Sequence, residues 1–188
     1  MNDDVRVLGL VGSLRRGSVN KRLMDAASDL LGSGSTVDVF DHLKDIPPFD
    51  EDDEAVVPRA VEELRARIAI ADAVLVVTPE YNGSVPGQLK NAIDWASRPF
   101  ATSVLRGKHI AVIGASPSPG GARTAIADAQ RILSRAGATV IPETTFVPRV
   151  FEHLDHTGAL NGYDVRTSIA NVTSALLAAA RPNAYEPA

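Results

Sequence analysis

The chain has 188 residues, of which 45% are hydrophobic and 22% are charged, and its formal net charge is −4. These values are typical of a folded globular protein and exclude wholesale disorder. The slight acidic excess does not favour nucleic acid as a partner, because proteins that bind it usually carry basic patches. The chain contains no cysteine. Disulfides, iron–sulfur clusters and thiol nucleophiles are therefore excluded, and any redox chemistry needs an organic cofactor or a metal held by oxygen and nitrogen ligands.

Two further features predict a cytoplasmic protein without a membrane partner. The N-terminus, Met1 to Asp4, is acidic, whereas a signal peptide begins with basic residues. The longest apolar run, 68–77, is interrupted by Asp72 and is too short to span a bilayer.

The first part of the chain alternates between apolar runs and helical periodicity. A nearly continuous apolar run at 5–11 predicts a strand buried on both faces. After the polar loop 12–19, apolar residues recur at helical spacing over 23–31, and glycines end that helix. A second short strand is predicted at 36–40, and residues 45–54 are predicted to form a loop rich in proline and acidic residues.

The rest of the chain continues this alternation, and its predicted elements follow the same rules of periodicity. In chain order they are a helix over 57–68, a strand at 73–78, a loop at 78–86, a helix at 87–96, a strand at 110–115, a loop at 116–121, a helix over 126–133, a strand at 139–141, a helix over 165–176 and a frayed tail at 181–188.

Strands that alternate with helices predict one α/β domain over residues 1–188. A five-stranded parallel sheet with helices on both faces forms a three-layer sandwich, and the doubly wound strand order 2-1-3-4-5 suits a chain of 188 residues. Ligands of such sheets bind outside the carboxyl ends of the strands, near the point where the strand order reverses. The loops 12–19, 78–86 and 116–121 are therefore the candidate ligand site.

The loop 12–19 predicts a phosphate site. It joins a strand to the N-terminus of a helix, where backbone N–H groups and the positive helix end favour an anion. Ser13, Ser18 and Asn20 add neutral donors, and Arg15 adds a charged, forked donor. The lysine of a P-loop and the Gly-x-Gly-x-x-Gly pattern of a dinucleotide site are both absent, which leaves a monophosphate as the expected ligand. The alternative is a solvated turn whose serines only cap the helix.

The loop 78–86 predicts a seat for a planar ligand. Asn82-Gly83 permits positive φ angles, so backbone amides turn towards the ligand while Tyr81 covers one of its faces. The alternative for Tyr81 is an exposed loop aromatic. In the helix that follows, Trp95 is expected in the core or at a subunit contact. Glu80 and Lys90 are expected to form a structural ion pair, within the chain or across a dimer, and the alternative is a functional role for both.

The loop 116–121 consists of serine, proline and glycine. Small residues there, beginning with Ser116, would let a flat ring approach the backbone. A simple connection between strand and helix is a nearly equal alternative.

No metal is predicted. Residues 152–156 contain two histidines, but the glycines that follow favour a loop over a metal site. The acidic run 50–54 lacks the residue spacing of a calcium loop, so a solvated surface is the preferred interpretation.

Three motifs together resemble the NADPH-dependent FMN reductase family, which includes soluble quinone, azo-dye and chromate reductases. The motifs are Gly12-Ser-Leu-Arg-x-x-Ser-x-Asn20, Pro79-Glu-Tyr-Asn82 and Pro86-Gly-x-Leu-Lys-Asn-Ala-Ile-Asp-Trp95. Their spacing along one chain makes the resemblance, which covers residues 5 to about 150, more specific than any single motif. It implies the flavodoxin-like form of the sandwich.

The resemblance implies FMN as the cofactor and NADPH or NADH as the electron donor. The FMN phosphate is then expected on Ser13, Arg15, Ser18 and Asn20. The FMN ring is expected against Pro79, Glu80, Tyr81, Asn82 and Gly83, with Ser116 and its loop on the far side.

The same resemblance implies an oxidoreductase that passes hydride from NAD(P)H through N5 of FMN to a small acceptor by a ping-pong mechanism. The acceptor would be a quinone, a free flavin, an azo dye or an oxyanion. No side chain is required as a catalytic acid or base, and Tyr81 and Asn82 are expected to shape the reacting face. A homodimer or homotetramer is also implied.

Two other functions stay open. A flavodoxin-like electron carrier would bind FMN without a nicotinamide site, but Arg15, Arg16 and the modest net charge of −4 favour the enzyme. A structural or regulatory protein would keep the fold without FMN. The sequence also does not choose among Arg16, Arg98 and Arg123 as the partner of the 2′-phosphate of NADPH.

Overall fold

Five parallel strands and five helices alternate along residues 4–181, the part of the chain that a computed structural model describes. The strands are β1 (Val5–Val11), β2 (Ser35–Val39), β3 (Ala73–Thr78), β4 (His109–Ala115) and β5 (Thr139–Val147). The helices are α1 (Val19–Leu31), α2 (Arg59–Ile70), α3 (Gly87–Ala96), α4 (Arg123–Arg135) and α5 (Tyr163–Ala180). Apart from residue 181, the predicted frayed tail lies outside the described residues.

The strand order is β2-β1-β3-β4-β5, which confirms the predicted topology. All six residues of β3 are buried, because helices cover both faces of the sheet. Val74 and Val76 face the layer that contains α2, α3 and α4. Leu75 and Val77 face the layer of α1 and α5. The sheet therefore separates two apolar cores.

Strand β5 continues six residues beyond its predicted end, from position 141 to Val147. The prediction stopped early because Pro142 and the polar residues after it do not look like a buried strand. As an edge strand, β5 leaves most of these residues exposed, and its register with β4 shifts between Ile110 and Val112. Proline is tolerated at such irregular positions of edge strands. The longer β5 places the segment after Val147 at the ligand-binding edge of the sheet.

The segment predicted as a loop at 45–54 is bordered and partly formed by two short 3-10 helices, Asp41–Asp45 and Glu51–Ala55. Polar side chains of α3 hold its first half. The Gln88 amide donates to Leu43 and Ile46, and Pro47 accepts from both Asn91 and Trp95.

Trp95 is fully buried, and its ring packs edge-on against Phe49 with ring centroids 4.9 Å apart. The prediction of a core position for Trp95 is therefore confirmed. Arg98 lies near the second short helix, with nitrogens 3.4 Å from Glu51 and 3.6 Å from Glu54. Arg98, one of the three arginines considered as the partner of a 2′-phosphate, therefore already contacts two carboxylates of its own chain.

Gly114 marks a close approach between β4, β3 and α4. A Cβ atom at this position would lie 2.5 Å from the backbone oxygen of Thr78 and 3.1 Å from the Cβ of Ala122. We expect Gly114→Ala to lower the free energy of unfolding by roughly 1–3 kcal/mol, as overpacking against fixed backbone does. Urea unfolding measures this change. Gly87→Ala is the control, because its Cβ would meet nothing within 4 Å. Equal stability of the two variants would contradict the close approach.

No helix within residues 4–181 is long and apolar enough to cross a membrane.

Candidate functional site

The loop between β1 and α1 presents unpaired backbone donors at one end of the sheet. Gly12 donates its N–H to Val77, which fixes the start of the loop on β3. Ser18 caps α1 by accepting from the N–H of Asn20 at 3.2 Å. Within residues 4–181, the N–H groups of residues 13–17 donate no hydrogen bond. Both serine side chains, Ser13 and Ser18, are buried, and Arg15 is exposed beside them. This arrangement can accept an anion.

Asn20 ties this loop to the carboxyl end of β4. Its side-chain amide donates to the carbonyl of Ala115 and accepts from the N–H of Ala115, both at 3.0 Å. The pairing of β3 with β4 ends one residue earlier, at Gly114. The Asn20 side chain therefore supplies the donor and the acceptor that another strand residue would supply. Because it is buried, we infer that it positions the loop, whatever it contributes to a ligand.

The second loop forms a tight hairpin. The backbones of Tyr81 and Ser84 exchange hydrogen bonds of 3.0 and 3.1 Å. Between them, Asn82 and Gly83 have φ angles of 53° and 76°. Positive φ at both central residues is the signature of a type I′ turn, for which Asn-Gly is a favoured sequence. The Tyr81 ring is 48% exposed, so it is free to contact a ligand.

The expected ion pair between Glu80 and Lys90 is wrong within the chain. Lys90 instead contacts Asp94, one helical turn later, at 2.7 Å. Glu80 accepts hydrogen bonds from the N–H groups of Thr124 and Ala125 in the first turn of α4. Sequence spacing could not reveal this bond, because it joins residues from two separate loops.

The third loop is held by Ser116 and by the segment after β5. The Ser116 hydroxyl contacts the Ser118 hydroxyl at 3.0 Å and accepts from the Ser118 N–H at 3.1 Å. Its backbone bonds to Val147 and Val150. Gly121 has a φ of 62°, and a Cβ there would lie 2.7 Å from the nitrogen of Pro148. The loop therefore packs closely on its neighbour, which requires the small residue found there.

These loops border one cleft, which contains most of the predicted site residues. The predicted residues that line it are Ser13, Arg15, Ser18, Asn20, Pro79, Glu80, Tyr81 and Ser116. Asn82 and Gly83 lie at the tip of the hairpin, outside this lining. A second depression adjoins the cleft, because Arg15 and Tyr81 line both. It extends towards the start of α3, where Pro86 and Gly87 line it.

The sequence interpretation missed Phe151, which also lines the cleft. Phe151 belongs to the short 3-10 helix Val150–His153 after β5, and its side chain is 58% exposed. The strand order could have indicated that Phe151 lies near the cleft. The segment after the fifth strand leaves the same edge of the sheet as the other loops. Because that strand was predicted to end at 141, residue 151 was not placed at this edge.

Among residues 4–181, no three His, Asp or Glu side chains come together as a metal ion would require. In the segment 152–156, the Asp155 carboxylate accepts from the hydroxyl and N–H of Thr157 and from the N–H of Ala159. The hydrogen bond from the Thr157 side chain is the main reason that the pKa of Asp155 lies below its usual value. This carboxylate shapes a turn.

The sequence model of the family described as NADPH-dependent FMN reductase matches residues 5–152, which include every residue of the cleft. The chain belongs to this family.

Named relatives agree with the family. An NAD(P)H-dependent FMN reductase of Pseudomonas aeruginosa is 48% identical over 117 residues, which are 62% of this chain and 62% of that protein. A 2-hydroxy-1,4-benzoquinone reductase of a Burkholderia species is 45% identical over 112 residues, 60% of this chain and 61% of its own. The matched regions thus span less than two thirds of these relatives.

Solved structures extend the likeness over nearly the whole chain. A flavoenzyme NAD(P)H:(acceptor) oxidoreductase from Paracoccus denitrificans is 34% identical, with a TM-score of 0.83 over 94% of this chain and 97% of that one. A flavodoxin of Pseudomonas aeruginosa, 18% identical with a TM-score of 0.58, covers 92% of this chain and 99% of its own. The fold is therefore flavodoxin-like, as predicted.

Proposed function

We propose that this member of the family is an NAD(P)H-dependent FMN reductase that transfers electrons to small quinone-type acceptors. The observation that supports it best is the single cleft shared by Arg15 with its neighbouring free amides and by the Tyr81 hairpin. The names of the relatives, which are FMN and quinone reductases, support the same activity.

The residues of the cleft fit FMN. A phosphate monoester needs several hydrogen-bond donors and positive charge. The first loop offers the free amides of residues 13–17, the two buried hydroxyls of Ser13 and Ser18, and the guanidinium of Arg15, which lines the cleft. The flat ring needs small or planar groups at a fixed position against which it can pack. Tyr81, Pro79 and Pro117 supply such groups on the other side of the cleft.

When bound, FMN supplies the reversible two-electron chemistry that protein side chains lack. The protein has to bind and orient FMN and to shield its ring from water. We propose that Ser13, Arg15 and Ser18 hold the phosphate, and that Tyr81 borders the reacting face, with Asn82 shaping that face through the turn that presents Tyr81. Donor and acceptor would then use that face in turn, without a side chain that acts as acid or base.

The test is the visible spectrum of the purified protein with FMN, before and after NADPH is added without oxygen. A bound-flavin spectrum that bleaches supports the reductase. A bound flavin that stays oxidised with both NADPH and NADH would support the flavodoxin-like electron carrier. Failure to bind FMN would leave only the fold and overturn the proposal.

Phe151 provides a prediction for the cleft. An apolar ring at its rim, 58% exposed, gains burial when a ligand fills the cleft. We expect Phe151→Ala to raise the Kd for FMN by roughly 3- to 10-fold, which corresponds to about 1 kcal/mol of lost apolar contact. Fluorescence titration measures this Kd. Phe146→Ala is the matched control, because Phe146 is also exposed but contacts Arg123 outside the cleft. Equal Kd values for the two variants would remove Phe151 from the site.

We further propose that residues 1–188 form one FMN-binding domain, since α5 packs back onto α1 and β5. The expected homodimer or homotetramer and the expected cytoplasmic location stay predictions. Light scattering coupled to size-exclusion chromatography measures the oligomeric state.

A further inference from the structure

The N-terminus of α4 has no cap of its own. Its N-cap residue, Ala122, has a φ of 68° and no side chain that can accept a hydrogen bond. Gly121, just before it, also has a positive φ of 62°. The chain enters α4 through two consecutive left-handed residues, and the N-cap residue has no side chain that accepts from the N–H groups of Thr124 and Ala125.

Glu80 supplies the missing cap from another loop. Its Oε2 atom accepts from Thr124 at 3.0 Å and from Ala125 at 3.2 Å, although 44 and 45 residues separate them in sequence. The N–H of Arg123 is bonded to Gly120. The first three amides of α4 therefore all have partners, and a carboxylate stands at the positive end of the helix. This differs from the loop before α1, where amides are free.

A second bond joins the same hairpin to α4. The Ser84 hydroxyl donates to Asp128 at 2.7 Å, one helical turn after Thr124. That hydrogen bond, together with one from Arg131, lowers the pKa of Asp128 below its usual value. Residues 80–84 are thus attached to α4 at both ends of the hairpin.

We propose that Glu80 is a positioning residue that fixes the distance between the two loops bordering the FMN ring. This inference rests on the proposed function. Glu80 itself lines the cleft beside Tyr81, and the helix it caps begins directly after the third loop. The third loop is also held by Val147 and Pro148, but the carboxylate of Glu80 joins the first turn of α4 directly to the loop that contains Tyr81. We expect loss of that carboxylate to let the end of the third loop shift relative to Tyr81. Glu80 acts through this geometry and has no role as an acid or base.

The experiment compares Glu80→Ala, Glu80→Gln and Glu62→Ala in the full-length protein. Glutamine keeps one oxygen that can accept from Thr124 and Ala125, whereas alanine keeps none. Glu62 is an exposed acid in the first turn of α2, so its removal changes charge near a helix N-terminus without removing a cap. Each variant is assayed for thermal unfolding, for its Kd for FMN well below the unfolding temperature, and for kcat and KM with a quinone.

We expect Glu80→Ala to raise the Kd for FMN by about 10-fold or more, which corresponds to about 1.4 kcal/mol or more. We also expect it to change the KM for the quinone more than Glu62→Ala does. Glu80→Gln should restore FMN binding to within about 3-fold of the unsubstituted protein, or roughly 0.7 kcal/mol. Ser84→Ala should weaken binding less, because Glu80 still holds α4.

A Glu80→Ala variant that melts earlier but binds FMN and quinone normally would overturn the proposal, since the cap would then serve stability alone. The same holds if Glu80→Gln behaves like Glu80→Ala. These outcomes differ from failure of the proposed function, in which the unsubstituted protein itself would bind no FMN or leave NADPH unoxidised.

Discussion

Replacing Asn20 with alanine is expected to lower the free energy of unfolding by about 2–5 kcal/mol, because two buried groups lose their hydrogen bonds. These are the N–H and carbonyl of Ala115, each 3.0 Å from the Asn20 amide. Ala115 is the last residue of β4 and is 1% exposed, so water cannot easily replace the two lost hydrogen bonds. Urea unfolding of the FMN-free protein measures the effect as a lower midpoint at constant slope.

The matched control is Asn171→Ala. Asn171 is exposed on α5, and its removal should change the free energy of unfolding by no more than about 0.5 kcal/mol. The experiment separates two roles of Asn20. If the side chain served only as a phosphate ligand, the FMN-free variant would keep its stability and only the affinity for FMN would fall. That result would contradict the inference that Asn20 holds the first loop on β4.

Arg15→Ala is expected to raise the Kd for FMN by roughly 10- to 100-fold, which corresponds to about 1.5–3 kcal/mol for a hydrogen bond to a charged group. Arg15 is the cationic residue among those lining the cleft. Its planar fork can bind two phosphate oxygens, so Arg15→Lys should recover only part of the loss. Fluorescence titration at two salt concentrations measures both the affinity and its smaller dependence on salt in the variant.

Two controls locate the effect. Arg16→Ala removes an arginine that is also exposed but does not line the cleft, and it should change the Kd less than about 3-fold, or roughly 0.7 kcal/mol. Riboflavin lacks the phosphate, so its affinity should be the same with and without Arg15. If Arg15→Ala weakened riboflavin as much as FMN, the guanidinium would act on the ring or on the loop rather than on the phosphate.

Local patterns were sufficient for the elements that are buried on both sides. The runs at 5–11 and 73–78 were predicted at the bounds that the strands have, because a central parallel strand requires continuous apolar residues. An edge strand is under weaker constraint. Pro142 and its polar neighbours fit β5 only because one face is exposed and the register with β4 shifts there.

Periodicity, crossover handedness and turn chemistry are local or topological rules, and they were enough to predict the strand order, the three loops at the carboxyl edge and the Asn82-Gly83 turn. Three contacts could be seen only in the folded chain: the hydrogen bonds between Asn20 and Ala115, the cap that Glu80 provides at the start of α4, and the position of Phe151 in the cleft. Each of these contacts joins residues that are distant along the chain. The sequence states which residues are polar or aromatic. Which partner such a residue contacts depends on which loops the sheet brings together.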